Sequence, residues 1–448
     1  MAISDIVAVS ITVQDSAPKA VAFDTPLIVG KAPFVGSRLY SISPAGLADM
    51  VTDGFPTYER AYQIMSRMSG QSGGAGQAYI YSRTTQHTQS IDLTVDIAKT
   101  AVGQVLSFGL TFKDKSSTIS VTVVTNTVNA ILDLVETAIN ASTAGLAGLT
   151  VTPDNATATK LTITTSTAGR FALFDLGSAQ YWSLEENGAD GSLAAQLTAA
   201  KTELGESVYG LLIDSFAETE INLAAAFTEA NAMLFLGQAP DQEILESGQT
   251  DDVASDLHGS GYNRSAVCFT RNMTSDWAAA LLGRQLGQVP GSSSWHMRQL
   301  AGATADVLTT TNHSAARAKF ALTFTTDRGV SHTWDGFAAS GRFFDITHGV
   351  DFLKADIETR VYQAMLNQEK IGFNPAGLAV IEAAIRGALG NAETELGLVE
   401  PGWTVTMPDL TGYSSVDKAA RLLRTVRFTA VLTGAVHKVT IAGTLTLS

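Results

Sequence analysis

The sequence predicts a mixed α/β (α+β) fold, with a central α/β layer that a threonine-rich β segment interrupts. After residue 190, short apolar strands alternate with helical patterns, which is typical of a largely parallel sheet covered by helices. Between residues 84 and 168, threonine supplies 20 of 85 residues. β-branched residues at this density favour strands, so this stretch predicts a small inserted domain.

The segments before and after the insert are expected to fold together as one domain. Before the insert we expect strands at 25–30 and 78–82 and a helix at 57–68. After it, the expected helices cover 192–204, 218–231, 250–259 and 275–287, and the expected strands 208–213, 232–236 and 265–269. The insert itself predicts strands at 104–112, 117–125, 148–153 and 159–165 and a helix at 127–141.

The last hundred residues predict helices and two strands. The first helix carries an Asp356–Arg360 pair at i,i+4. The second has Asn374 as N-cap and Pro375 at its first position, and Gly390 is expected to end it. The predicted helices cover 349–368, 375–389 and 416–424, and the predicted strands 426–432 and 439–447.

Length, charge and cysteine content exclude several classes of protein. A chain of 448 residues can form two or three domains with buried cores. Its net charge of -14 argues against a general nucleic-acid binder, which would need basic patches. The sequence contains no apolar run of spanning length and no signal-peptide pattern, so we expect a protein made in the cytosol. The single cysteine, Cys268, excludes an intrachain disulfide and is expected to be a small buried hydrophobe.

The sequence contains no strong catalytic motif. The segment G-Q-S-G-G at 70–74 matches the G-x-S-x-G elbow of hydrolases. That motif requires a strand before the serine and a helix after it, whereas here the order is reversed. Neither a P-loop nor a dinucleotide-binding fingerprint is present. We therefore predict a plain loop, and a hydrolase with Ser72 as nucleophile is the alternative.

One acidic and histidine cluster has two interpretations. Asp345, His348 and Asp351 fall within one and a half helical turns, a spacing open to a metal or acid–base site. The alternative is a helix start, with Thr347 or Asp345 capping and His348 packing near the turn. The seven histidines include no H-E-x-x-H, so we predict no catalytic residue, no metal and no cofactor.

Both ends of the chain are strand-like and poor in charge. The alternating apolar positions are Val7, Val9, Ile11, Val13, Val439, Ile441, Leu445 and Leu447. Because an unpaired apolar edge promotes aggregation, we predict that the terminal strand pairs within the chain or with a neighbouring subunit. Burying its four apolar side chains yields ~6–12 kcal/mol, whereas ordering ten residues costs ~10–20 kcal/mol. One exchanged arm is therefore near break-even, and a closed ring gains through effective concentration.

A basic surface precedes the terminal strand. Lys418, Arg421 and Arg424 have i,i+3 spacing and would share one face of the helix predicted at 416–424. Residues 409–448 carry a net charge of +3, so the other 408 residues carry -17. The face is either solvated or a docking surface for an acidic partner, where it would set register and encounter rate.

The carboxy-terminal sequence resembles that of contractile tail sheath proteins of myophages. The run DITHGVDFLKADIETRVYQAMLNQEKIGFNPAGLAVIEAAIRGAL at 345–389 is followed by DKAARLLRTVRFTAVLTGAVHKVTIAGTLTL at 417–447. The helix pair, the basic helix, a strand, GAVH at 434–437 and a terminal strand occur in the family's order. The resemblance covers about the last hundred residues well, and the amino-terminal strand and α/β middle loosely.

The resemblance implies a structural subunit of a contractile tail sheath, not an enzyme. Such subunits form hexameric rings stacked helically around a tail tube and linked by exchange of terminal strands. On baseplate triggering the sheath contracts and drives the tube through the host envelope, which permits genome ejection. The implied partners are further copies, the tail tube protein, and baseplate and tail terminator proteins, with no nucleic acid and no membrane insertion. The implied location is the virion, after assembly in the host cytoplasm.

The resemblance also assigns regions. The segments 7–13 and 439–447 would be the inter-subunit arms, and Lys418, Arg421 and Arg424 would face the tube. The implied domains are an amino-terminal arm (1–20), a central α/β domain (21–83 and 191–344), an inserted outer β-rich domain (84–190), and a carboxy-terminal α+β sheath domain completed by the amino-terminal strand (345–448). The alternatives are the sheath of a phage-derived bacterial contractile particle, an α/β hydrolase-like enzyme, and a tail tube or capsid subunit.

Overall fold

A computed structural model describes residues 22–83, 89–142, 146, 149–153, 159–165, 172–176, 181–186, 192–423 and 426–437. These residues form two compact units. The first contains Ala22–Phe352 and residues 432–437, and the second contains Leu353–Val431. The predicted terminal strands at 7–13 and 439–447, and Arg424, lie outside the described residues.

Strands and helices are numbered here in chain order. The strands are β1 (Pro26–Gly30), β2 (Ser37–Ser41), β3 (Gln77–Ser82), β4 (Ser90–Val95), β5 (Val105–Phe112), β6 (Lys115–Thr122), β7 (Leu149–Pro153), β8 (Leu161–Thr165), β9 (Ala172–Asp175), β10 (Trp182–Glu186), β11 (Gly210–Ile213), β12 (Leu234–Ala239), β13 (Ser265–Phe269), β14 (Thr323–Asp327), β15 (Val330–Trp334), β16 (Thr404–Thr406) and β17 (Arg427–Thr429). The helices are α1 (Pro44–Thr52), α2 (Arg60–Ser69), α3 (Val128–Ala141), α4 (Leu193–Leu204), α5 (Glu218–Ala230), α6 (Val253–Ser260), α7 (Trp277–Leu286), α8 (Thr310–Ala318), α9 (Phe344–Leu366), α10 (Pro375–Thr394) and α11 (Ser415–Ala419).

A six-stranded sheet in the order β13-β12-β11-β1-β3-β2 forms the centre of the first unit. Its strands are parallel except β2, which runs antiparallel to β3. The strands β1 and β3 precede the insert and β11 follows it. The chain therefore leaves the sheet after β3, forms the insert and returns to pair with β1. The predicted α/β class is confirmed.

Each face of this sheet has its own apolar core. Ile28 and Cys268 point to the face covered by α1, α2 and α7, whereas Leu27 and Val29 point to the face covered by α4, α5 and α6. This alternation follows from the period of two residues in a strand. Cys268 is buried as predicted, and burial raises the pKa of its thiol.

The insert contains two antiparallel sheets, in the orders β10-β4-β8-β7 and β6-β5-β9, which share a core with α3. The sequence did not predict β4, β9 or β10. In β4 the apolar alternation of Ile91, Leu93 and Val95 is present in the sequence, and Asp92 is buried on the opposite face of the strand. Asp92 accepts hydrogen bonds from Lys160 and Thr162, each at 2.6 Å. These neighbours come from later in the chain, so the local sequence gives no sign that Asp92 is buried.

The helices α10 and α11 begin within one residue of the prediction but end elsewhere, whereas α9 begins at Phe344 and not at the predicted 349. Asn374 caps α10 by accepting from the Gly377 amide at 2.8 Å, and Pro375 is its first residue. The Asp356–Arg360 pair in α9 is confirmed, at 2.9 Å. Gly390 does not end α10, which continues to Thr394 because Leu389 and Ala392 are both buried on its inner side.

The basic helix is shorter than the predicted 416–424. α11 ends at Ala419, and Arg421 has a φ of 55°. The amide of Leu422 donates to the carbonyl of Asp417, which closes the helix through a left-handed residue. Lys418 and Arg421 therefore do not share a helix face, contrary to the prediction from their spacing.

The G-x-S-x-G match is a packing loop, as predicted. Gly74 lies against Gly287, where a Cβ would come within 2.1 Å of the Gly74 carbonyl carbon. The amide of Ala75 donates to the carbonyl of Gly283 in α7 at 2.7 Å. Ser72 is exposed, and its segment follows α2 and precedes β3.

We predict that Gly287→Ala lowers the free energy of unfolding by ~1–3 kcal/mol, because backbone atoms must move to admit the methyl group. Gly259→Ala is the matched control. It lies in α6, where a Cβ would meet nothing within 4 Å, so this change should stabilise by ~0.5–1 kcal/mol. Urea unfolding followed by tryptophan fluorescence measures both, and equal effects of the two substitutions would contradict the packing argument.

Candidate functional site

The carboxyl edge of the parallel sheet, where open α/β folds usually bind ligands, is filled by a buried ion cluster. The Arg83 guanidinium donates to Asp214 at 2.6 Å and to the two Glu220 carboxylate oxygens at 3.0 and 2.6 Å. All three side chains are buried. Asp214 also accepts from the Lys31 amide at 3.0 Å. The cluster thus joins the ends of β1, β3 and β11.

The same edge attaches the insert to the body. Glu186, at the end of β10, accepts from the Phe216 amide at 3.2 Å, and Phe216 belongs to the insert's core. The Arg60 guanidinium lies 4.1 Å from the Phe216 ring centroid and pairs with Asp276. Burial lowers the pKa of Arg60 to about 9, so it remains charged at neutral pH. The insert is therefore held by buried polar contacts.

Little space remains at this edge. A cavity of about 10 Å³ is bordered by Ser215, Gln238 and Asp276, which is room for about one water. Ser215 is buried, and its Oγ accepts from the Ala217 amide at 3.1 Å. Among the residues that the structure describes, no group of three or more metal-ligating side chains occurs.

The Asp345, His348 and Asp351 cluster does not converge on one point. His348 is buried and stacks on Tyr209, with 5.1 Å between ring centroids. Asp351 pairs with Arg264 and accepts from the Tyr209 hydroxyl at 2.7 Å. Since α9 begins at Phe344, neither Asp345 nor Thr347 is its N-cap, and that detail of the prediction is wrong. The packing role predicted for His348 is confirmed.

The second unit exposes apolar side chains that globular domains usually bury. Their exposed fractions range from 41% to 72%. They are Tyr362, Met365, Leu366, Val416, Leu422, Phe428 and Val431. Exposed apolar side chains mark an interaction surface where they form a contiguous patch.

Two further features of this unit suit association. β16 and β17 form a two-stranded antiparallel sheet in which Val405 pairs with Phe428, and a two-stranded sheet offers backbone groups for further strands. An apolar groove of about 110 Å³ lies between α9 and α10, with Met365, Phe373 and Leu378 in its wall and Arg421 at its edge. Lys418 and Arg421 are both exposed.

We predict that Arg83→Met lowers the free energy of unfolding by ~3–5 kcal/mol, because it leaves two buried carboxylates without their cation. Lys354→Met is the matched control. Lys354 and Glu358 are 3.9 Å apart and largely exposed, so its loss should cost under ~0.5 kcal/mol. Thermal and urea unfolding measure both changes, and a small effect at Arg83 would show that the cluster is dispensable.

Comparison with known proteins yields matches among solved structures alone. No protein-family model and no curated protein sequence matches the chain. One similar chain comes from the six-fold symmetrised baseplate of the anti-feeding prophage (AFP), with a TM-score of 0.53, 11% identity and coverage of 98% of this chain and 100% of that chain.

Two further matches come from contracted sheaths. A chain of the AFP helical sheath in the contracted state has a TM-score of 0.53 and 12% identity, covering 98% of this chain and 99% of that chain. A chain of the PVC sheath complex, an extracellular contractile injection system in the contracted state, has a TM-score of 0.52 and 10% identity, covering 98% and 97%. None of the helices in the described residues is long and apolar enough to cross a membrane. Over nearly its whole length, the chain therefore has the fold of contractile sheath chains.

Proposed function

We propose that this chain is the subunit of a contractile sheath that assembles around a rigid tube. The observation that carries the proposal is the shared fold, which extends over 98% of the chain in two contracted sheaths. A match of this extent includes the body, the insert and the carboxy-terminal unit together. It therefore favours a common architecture over a common single domain.

The proposed assembly consists of hexameric rings stacked helically, with terminal strands exchanged between subunits. The two-stranded sheet β16–β17 offers edges to which the segments 7–13 and 439–447 of neighbouring copies can add. The exposed apolar residues of the second unit would then be buried in the assembly. Contraction by rigid-body movement requires no nucleotide and no catalytic residue in the subunit.

The proposed partners are further copies of the chain, a tube protein, and baseplate and terminator proteins. Lys418, Arg421 and Arg424 are proposed to face the tube, and residues 84–190 to lie outward. The particle is proposed to be a phage tail, assembled in the host cytoplasm, that penetrates the envelope and ejects a genome. A phage-derived injection particle is the second candidate, favoured by the AFP and PVC matches.

Electron microscopy of the purified chain, alone and co-expressed with the tube protein of its own particle, tests the proposal. We expect rings or hollow tubes of sheath-like width in at least one of the two preparations. A monodisperse monomer in both preparations, at high concentration, would contradict the proposal.

We predict that Ile441→Lys and Leu445→Lys together abolish ring and tube formation, because both place a charge on the apolar face of the exchanged strand. The control is Thr440→Lys with Thr444→Lys, which adds the same charge on the opposite face. Sedimentation velocity and electron microscopy measure assembly, and circular dichroism checks that each variant is folded. Equal assembly by both double variants would contradict strand exchange.

We also predict that Lys418→Glu combined with Arg421→Glu weakens co-sedimentation with the tube at low salt, because charge complementarity sets the encounter. Lys354→Glu with Arg386→Glu is a control of equal charge change in α9 and α10. A loss of tube binding that is equal in both double variants would remove the specific role of the two basic residues.

A further inference from the structure

Both terminal segments join the described chain beside a histidine. We call residues 22–24 the amino-terminal root and residues 432–437 the carboxy-terminal root. Both roots belong to the first unit. The first residues of α9 contact the amino-terminal root, and Phe343, the residue before α9, contacts the carboxy-terminal root.

The amino-terminal root is held by aromatic packing. The Phe23 ring centroid lies 4.8 Å from that of Tyr209, 5.6 Å from Phe352 and 6.0 Å from His348. The backbone of Phe23 hydrogen-bonds the His348 imidazole. His348 therefore contacts this root by both its ring and a nitrogen.

The carboxy-terminal root is held through His437. Its ring stacks on His296 with 4.6 Å between centroids and meets Phe343 edge-on at 4.8 Å. Its Nε2 lies 3.0 Å from the Ser294 hydroxyl. The carboxy-terminal root therefore packs against His296 of the first unit.

The geometry around His296 and around His348 suits a neutral imidazole. His296 Nδ1 accepts from the Asp335 amide at 2.9 Å, so a proton on Nδ1 would break that hydrogen bond. His348 Nε2 is buried and has no hydrogen-bond partner among the described residues. Burial lowers the pKa of both His296 and His348 to about 4.

The surrounding charges act in the same direction at His296. His437, His332, Arg298 and Arg317 all oppose its protonation. Two carboxyl groups, Asp335 and Asp345, lie nearby, and burial raises the pKa of each.

At His348 the charge of Asp351 and the hydrogen bond to the Phe23 backbone both favour protonation, but burial outweighs them. Asp351 is paired with Arg264, and the neighbouring Tyr209 hydroxyl donates to it. The neutral form is therefore favoured at both His296 and His348.

We propose that the two roots form an acid-sensitive latch, in which neutral His348 holds residues 22–24, neutral His296 holds residues 432–437, and protonation releases them. The pKa of each histidine is lower with the root docked than its ordinary value of ~6.5. Docking is therefore favoured fully above pH 6.5 and is weakened as the pH falls toward 4. If the proposed strand exchange is right, acid would free both arms at once.

Hydrogen-exchange mass spectrometry of the dilute, monomeric full-length chain tests the latch. Exchange is compared at pH 7.5 and 5.0 after correction for the intrinsic rates. We expect peptides that cover either root to lose about 30-fold in protection, the ratio that a shift in pKa from 6.5 to 4 gives at pH 5. Peptides from β11 and β12 are the internal control and should change little.

Two variants assign the effect to each histidine. His348→Phe should remove the pH dependence at residues 22–24 and leave it at 432–437. His296→Asn should remove it at 432–437 and leave it at 22–24. The asparagine side-chain oxygen still offers an acceptor to the Asp335 amide. Persistence of the pH dependence at both roots in both variants would overturn the latch.

A measurement on the unaltered chain tests the proposal even if a variant does not fold. Exchange of the imidazole C2–H gives the pKa of each histidine, and values near 6.5 for His348 and His296 would also overturn the proposal. Since these experiments use the monomer, their outcome is independent of whether the chain assembles as a sheath.

Discussion

The burial of Arg83 against Asp214 and Glu220 constrains the rest of the first unit. Removing a charge from water costs several kcal/mol even after relaxation, and good geometry must offset that cost. Three hydrogen bonds of 2.6 to 3.0 Å supply it. Arg83 follows β3, Asp214 follows β11, and Glu220 lies in the first turn of α5. A shift of any of these elements would therefore separate buried charges. The carboxyl edge of the sheet is therefore a fixed joint, and the insert that starts after Arg83 leaves from it.

The second unit follows the opposite principle. Seven of its large apolar residues are exposed, although others such as Leu389 and Ala392 are buried, and its small sheet has only β16 and β17 among the described residues. A monomer bearing such a surface gains free energy by association. The proposed movement of a sheath subunit as a rigid body would require both a first unit that resists deformation and a surface for neighbouring copies. The chain shares its fold with chains of the contracted AFP and PVC sheaths.

The sequence predicted what local periodicity encodes and missed what distant contacts decide. The parallel sheet, the burial of Cys268 and the Asn374 cap follow from signals within a few residues of each feature. The Arg83 cluster joins residues 131 and 137 positions apart, so no local pattern announces it. The end of α11 depends on the left-handed backbone of Arg421, a conformation that few non-glycine sequences specify. Nothing in the residue types around Arg421 indicates this backbone, so the spacing of Lys418, Arg421 and Arg424 predicts a helix that continues past Ala419.

Small changes in the free energy of docking at the roots matter because the free energy of exchanging an arm is expected to be near zero. Burying the terminal apolar side chains gives ~6–12 kcal/mol, ladder hydrogen bonds add ~1 kcal/mol each, and ordering the segment costs ~10–20 kcal/mol. A tenfold change in docking is only ~1.4 kcal/mol, yet near balance it moves most of the population. A root held on His348 or His296 lies in a fixed position before the arm meets a neighbour, which lowers the ordering cost of exchange. The same root, once released, would search a larger volume and bind more weakly. His348 and His296, which contact the two roots, therefore lie where a modest change in free energy would have the greatest effect on the proposed assembly.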